Sequence, residues 1–246
     1  MSIPVTAHRG LARLYPENTR ASVLGALLAG LDKVEIDIQL TADRVPVVYH
    51  DATLDRVSGR AGDIRKKTWS QLKAFRAPEP GRFGRRFATE RISRLEDLAQ
   101  AFAVAPKATL FVELKEESLK PFGRETMLQA VAEALKPIHA QCVLISFDLP
   151  VLSLARELTR FKVGPVLRHL RQLQGGAHRS LRPEWVFADA KMMPRQGSLK
   201  ALFGRSRSCL YEVPEVIRAR QFLNRGIHAL ETFAGDTLAQ ELKLFR

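Results

Sequence analysis

The sequence predicts an α/β chain closed as a (β/α)8 TIM barrel, with an inserted excursion after a hairpin on the second strand. Three observations point there. Strand-like and helix-like stretches alternate along most of the chain, eight strands run with the chain direction, and 246 residues is close to the ordinary length of one such barrel. An open doubly wound sheet is the alternative. No Gly-x-Gly-x-x-Gly fingerprint opens the first helix, so dinucleotide binding lacks support. A single domain over 1–246 is expected, with the excursion at about 52–94.

Residues 3–7 read as a short strand that runs into His8-Arg9-Gly10. A helix follows over 20–31, with Asn18 or Thr19 as cap and Ala21, Leu24, Ala26, Leu27 and Leu28 as its apolar face. The second strand, 34–40, carries two acids. Residues two apart in a strand share a face, so Glu35 and Asp37 point one way and Val34, Ile36 and Ile38 the other. Residues 41–44 are too few for a parallel crossover, so 45–49 returns as a hairpin arm and carries His50 back towards those acids. The stretch 52–94 is rich in glycine, proline and basic residues, with one short helix around 70–75. It reads as a long excursion over one face, part of a substrate mouth. A helix over 92–104 has Ser93 as cap and Glu96 at capping-box spacing. Strands at 109–114, 142–147, 162–167, 185–188, 209–213 and 227–231 then alternate with helices near 124–135, 149–158, 197–203, 215–224 and 237–244. A shorter basic segment fills the place after 167.

Lysine and arginine outnumber aspartate and glutamate 39 to 26, a formal net charge of +13. Such a charge suits nucleic acid, an anionic membrane or an anionic substrate. The basic residues are spread along the chain, with denser patches at 60–67, 82–91 and 168–182, and the 7% of aromatics do not interleave with them. Nucleic acid is therefore not expected as a partner, whereas peripheral contact with anionic membrane stays open. No run approaches the roughly 20 apolar residues of a membrane span. The first residues lack the basic and apolar regions of a signal peptide. Cys142 and Cys209 lie in apolar runs and read as buried thiols, which fits a reducing, cytoplasmic setting.

In a barrel, active residues cluster at the carboxyl ends of the strands. Those ends hold His8 and Arg9, then Glu35 and Asp37, then His50 on the hairpin arm, then Glu113 and Lys115 two apart on one face. Bringing so many ionisable groups together makes no structural sense without a ligand. Glu35, Asp37 and Glu113 offer oxygen donors that suit one divalent metal, Mg2+ or Ca2+. There is no cysteine cluster and no His-Glu-x-x-His, so zinc is disfavoured. Arg9 and Lys115 suit charge building on a phosphoryl oxygen. Two imidazoles, His8 and His50, can divide the proton transfers at a phosphodiester.

The ordered set His8-Arg9-Gly10, Pro16-Glu17-Asn18-Thr19, Glu35-x-Asp37, Thr41-x-Asp43, His50-Asp51-x-x-Leu54-x-Arg56, Glu113-x-Lys115 and Ser146-Phe147 resembles the glycerophosphodiester phosphodiesterase family. The resemblance covers 3–147 well. It implies a TIM barrel that hydrolyses glycerophosphodiesters to sn-glycerol 3-phosphate and an alcohol. It further implies metal ligands at Glu35, Asp37 and Glu113, an acid/base pair at His8 and His50, and an insertion after His50-Asp51. The last third departs from the family pattern. Tyr211-Glu212-Val213-Pro214 stands where Trp-Thr-Val-Asn is usual, and Glu231-Thr232-Phe233 where a Thr-Asp pair is usual. Glu212 is then either a changed pocket residue or a plain strand-end charge. Two other functions stay open: cleavage of lysophospholipids, favoured by an apolar groove near the excursion, and a barrel without turnover that binds phosphorylated ligands or anionic membrane.

Overall fold

The computed structural model describes residues 3–244. Met1 and Ser2, the start of the stretch read for a signal peptide, lie outside it, as do Phe245, Arg246 and the side chain of Leu244. Ten strands are present among the described residues: β1 (Val5–Ala7), β2 (Lys33–Leu40), β3 (Pro46–Val48), β4 (Ser93–Arg94), β5 (Thr109–Leu114), β6 (Cys142–Ser146), β7 (Lys162–Leu167), β8 (Trp185–Asp189), β9 (Arg207–Tyr211) and β10 (Ala229–Thr232). Eight of them form a parallel cylinder in the order β1, β2, β5, β6, β7, β8, β9, β10, with β10 pairing back to β1. This is the TIM barrel that alternating strands and helices predict. β3 lies antiparallel against β2, with Gln39 opposite Val47, and β4 continues outward from β3.

The period of two decides what each strand buries. Val34, Ile36, Ile38 and Leu40 face outward and join the large apolar layer between strands and helices. Phe111, Val143, Ile145, Val166, Trp185, Phe187, Cys209 and Ala229 face inward and fill the cylinder. Phe111 meets Trp185 and Phe187 edge to face, each at 5.0 Å between ring centres. Gly164 makes room for this packing, since a Cβ there would stand 3.1 Å from the Trp185 Cβ and 3.2 Å from Ile145. One step further along the same strands, the inward residues turn ionisable or polar: Glu113 follows Phe111, Tyr211 follows Cys209, and Glu231 follows Ala229. The apolar plug thus ends where the site begins.

Most helices fall where the apolar pattern predicts, Arg124–Leu135 and Leu149–Leu158 among them. Thr19 caps the first, Arg20–Leu28. Its hydroxyl accepts from the Ser22 N–H, and the Ser22 hydroxyl accepts from the Thr19 N–H. Ser93 is not a cap: it pairs in β4 with Val48, and the helix starts later, at Leu95–Phe102, with Arg94 at the cap position. A helix over Glu116–Phe122, with Pro121 inside it, is present in addition to those the sequence pattern predicts. The excursion holds short helical turns around a small apolar cluster of Leu54, Val57, Ile64, Leu72, Ala77 and Ile92, to which β3 and its end add Val47 and Tyr49. Cys142 and Cys209 are free thiols, both buried. No helix among the described residues is long and apolar enough to cross a membrane.

Candidate active site

β2 delivers Glu35 and Asp37 into the cylinder, each 1% exposed, and the parallel register sets Asp37 beside Glu113 of β5. Glu35, Asp37 and Glu113 each offer an oxygen within 4.8 Å of the others. Burial pushes the Glu35 carboxyl well above its usual range, and the charges of Asp37, Glu231 and Glu113 push it further. Burial likewise lifts Glu113 to about 7, with Asp37 adding to the rise and Lys115 opposing it. Asp37 goes the other way. Burial would raise it, but Lys115 Nζ at 3.5 Å, Arg9 Nε at 3.3 Å and the Asn18 amide at 2.8 Å hold it ionised. Glu35 Oε1 is buried with no hydrogen-bond partner. Buried carboxylates whose charges resist each other, one with an orphaned oxygen, fit a hard divalent cation.

His50 reaches this cluster through the hairpin. The Tyr49 N–H donates to the Asp37 carbonyl at 2.9 Å, and the Gln39 amide donates to the His50 carbonyl at 2.9 Å. The ring Nδ1 lies 2.6 Å from Asp51 Oδ1. Arg56, from the excursion, grips Asp51 at 2.8 Å and Glu17 at 2.7 and 2.8 Å. Glu17 also accepts from Arg9 at 2.9 Å. A continuous belt of charge-assisted bonds therefore runs from His50 to Arg9 and on to Asp37. Burial lowers the His50 pKa, Asp37 opposes, and Arg9 and Lys115 lower it again; the net is below the ordinary value.

His8 stands at the end of β1, where the chain turns sharply. Arg9 takes a left-handed φ of 54°, and Gly10 approaches Ser22 so closely that a Cβ would fall 2.4 Å from its hydroxyl. His8 Nδ1 lies 2.9 Å from Glu212 Oε2, while Nε2 lies 3.4 Å from Glu231 Oε1 and 4.0 Å from Glu35 Oε2. Burial would lower this ring's pKa, yet the charge of Glu231 and the bond to Glu212 carry it above the ordinary value. Burial lifts Glu231 itself to about 7, although His8 pulls it down. His8, Glu35 and Glu231 form a second group with ligand atoms within 4.8 Å of one another.

All seven residues singled out in the sequence meet at this mouth. A cleft of about 160 Å³ is lined by His8, Arg9, His50, Glu113 and Lys115 together with Glu231, Tyr211 and Phe187. Lys115 is 8% exposed, so it is no surface pair with Glu113; its Nζ sits 3.2 Å from Glu113 Oε1. Burial would lower the Lys115 pKa, but Asp37 and Glu113 raise it, so it stays charged. Arg9 lines the cleft while its guanidinium is held by Glu17 and Asp37.

Residues 8–216 match the model of the glycerophosphoryl diester phosphodiesterase family. The chain belongs to that family. It is 35% identical over 136 residues to a glycerophosphodiester phosphodiesterase of Caldanaerobacter subterraneus, a match covering 54% of each chain. Human glycerophosphodiester phosphodiesterase 1 is 33% identical over 139 residues, covering 56% of this chain and 39% of the human one. The matches cover between 34% and 62% of the length of these curated relatives. A phosphodiesterase of Oleispira antarctica, solved with the product sn-glycerol-3-phosphate, superposes with a TM-score of 0.87 at 24% identity, over 97% of this chain and 96% of that one. A Thermotoga maritima glycerophosphodiester phosphodiesterase gives 0.73 at 21% identity, over 99% of each chain. These structural likenesses establish the barrel.

Within this family member, the sequence reading passed over the braces. Glu17, Asp51 and Arg56 stood in the quoted motifs without a role, and Asn18 only as a candidate cap; the structure sets Asn18 and Glu17 behind Asp37 and Arg9, and Asp51 and Arg56 behind His50. Glu212 stood as either a changed pocket residue or a strand-end charge, and its contact with His8 makes it a pocket residue; Glu231 showed only as a departure from the family pattern. That they do depart was the one signal that could have marked them.

Proposed function

We propose that the chain hydrolyses glycerophosphodiesters to sn-glycerol 3-phosphate and an alcohol with the help of one divalent cation. The observation that carries this reading is the meeting of two imidazoles, two cations and three carboxylates, Glu35 and Asp37 of them buried, at one barrel mouth, in a member of this family. Glu35, Asp37 and Glu113 would hold the cation; Mg2+ and Ca2+ both suit the oxygen donors. Bound there, it supplies positive charge that polarises the phosphoryl group and eases ionisation of a nearby hydroxyl. Lys115 and Arg9 take up charge on the phosphoryl oxygens. The surroundings order the two rings. Carboxylates flank His8, so it is the better keeper of a proton and donates to the leaving alkoxide. Arg9 and Lys115 act on His50, so it is the better acceptor and takes the proton of the attacking hydroxyl.

A larger groove of about 840 Å³ lies beside the excursion, lined by Arg20, Leu24, Trp69, Lys73, Arg91 and others, and it shares no lining residue with the cleft. It does not extend the site towards an acyl chain, so small glycerophosphodiesters are preferred over lysophospholipids. The test is a panel of glycerophosphocholine, glycerophosphoethanolamine and lysophospholipids with each metal in turn. Release of glycerol 3-phosphate from the water-soluble diesters, lost with chelator, is expected. Turnover of lysolipids alone, or turnover that survives chelation, would overturn the reading.

A further inference from the structure

We propose that Glu212, with Phe233, is the positioning residue of His8: it clamps the ring by Nδ1 and so aims Nε2 at the reacting phosphodiester. The inference rests on the proton-transfer role proposed for His8. Both Glu212 oxygens are committed. Oε2 lies 2.9 Å from His8 Nδ1, and Oε1 accepts from the Phe233 N–H at 3.0 Å. The Phe233 ring then stacks on the imidazole face at 4.3 Å and 6° between planes. The ring is thus held by its edge and by one face, through two residues that are themselves bonded together.

The chemistry of the contact sets the tautomer. A carboxylate only accepts, so Nδ1 carries a hydrogen whether the ring is charged or neutral, and the proton that His8 gives up is the one on Nε2. That edge faces the cleft side, towards Glu231 and Glu35. Without Glu212, the ring could turn over or take the other tautomer, and Nε2 would lose its aim. Glu212 is 32% exposed at its side chain, which is also what an incidental rim charge would show. What separates the two is the second bond to Phe233, which an incidental pair does not need. Outer partners that orient metal-bound histidines are worth roughly 10- to 100-fold in activity, and an effect of that order is expected for a ring that moves protons.

The test compares kcat and KM for glycerophosphoethanolamine hydrolysis in Glu212→Ala, Glu212→Gln, His8→Ala and the double variant Glu212→Ala/His8→Ala. Long-range 15N–1H spectra of the His8 ring accompany them. Glu212→Ala is expected to lower kcat roughly 10- to 100-fold with KM within about twofold. Glu212→Gln, which keeps one acceptor oxygen, recovers part of the loss. The double variant is no worse than His8→Ala. The spectra show an Nδ1-bound proton in the wild type and mixed tautomers in Glu212→Ala. Wild-type kcat in Glu212→Ala beside an inactive His8→Ala would overturn the clamp and leave the site reading standing. So would an unchanged tautomer, or a double variant worse than His8→Ala. An active His8→Ala would instead sink the reading on which the clamp rests.

Discussion

His50 takes its carboxylate from the next residue in the chain, whereas His8 takes its carboxylate from a residue 204 positions away. The first brace is made wholly within the first quarter of the sequence. Asp51, Arg56, Glu17 and Arg9 link into one belt that also ties the excursion to the barrel. The second brace is made where the barrel closes, by the ends of β9 and β10 meeting the end of β1. The first is a network whose outer members, Asp51 and Arg56, are 25% and 44% exposed and which reaches inward to Glu17, 5% exposed; the second consists of one carboxylate and one ring. The difference teaches that two histidines can be oriented either through a network of ion pairs or through a single long-range contact. The two should therefore respond differently to mutation.

The largest effect is expected where the comparison says the two rings are equal. His50→Ala and His8→Ala should each lower kcat by roughly 10²- to 10⁴-fold, measured as glycerol 3-phosphate release. A loss confined to one of them would break the symmetry. Next comes Arg56→Ala. It leaves Glu17, 5% exposed at its side chain, with Arg9 as its remaining close partner, so a loss of about 1–3 kcal/mol in urea unfolding is expected. Glu212→Ala should cost under about 1 kcal/mol in the same measurement. Equal costs would contradict the distinction between a networked belt anchored on buried Glu17 and a local clip.

The pH dependence sharpens the same contrast. Glu113 and Glu231 have folded-state values lifted to about 7, above the ordinary 4.5 of a free glutamate. The folded state therefore holds protons that the unfolded state has released. Their contribution to stability is complete below about 4.5 and falls as pH rises towards 7. Glu17 is depressed, because the bonds from Arg56 and Arg9 outweigh burial, so its contribution is present above the unfolded value and is lost in acid. In chelator, Tm should fall by several degrees between pH 5 and pH 7.5, and Mg2+ or Ca2+ should remove that fall. A Tm that stays flat or rises across this window without metal would contradict it. The smallest expected effect is that of Phe233→Leu. Losing a stack worth about 0.5–1.5 kcal/mol should lower kcat a few-fold, with no change in KM. A larger loss than in Glu212→Ala would move the burden of the clamp from the carboxylate to the ring.

The barrel was legible because its signals are local. Runs such as Thr109–Leu114 and Cys142–Ser146 are short and apolar, and the helices between them show their buried stripe over ten or more residues. Where a local signal misled, a partner elsewhere in the chain was the cause. Ser93 has the composition of a cap, but Val48 recruits it into β4. The placement of Glu35, Asp37, His50, Glu113 and Lys115 at one mouth follows from strand alternation and a short hairpin, both of which can be read off the sequence. The surroundings of His8 could not be read. Glu212 and Glu231 meet it only when β9 and β10 close the cylinder, and no spacing in the chain encodes that contact.

The site offers a cation two nests that share Glu35: one with Asp37 and Glu113, the other with His8 and Glu231. Only the first leaves His8 free to move protons. The measurement that tests this most directly is anomalous scattering from crystals soaked in Mn2+ as a stand-in for Mg2+ or Ca2+. A single peak within about 2.0–2.6 Å of carboxylate oxygens from Glu35, Asp37 and Glu113, with both imidazoles unbound beside it, is the expected result. A peak on the His8 ring, or none at these carboxylates, would contradict the account.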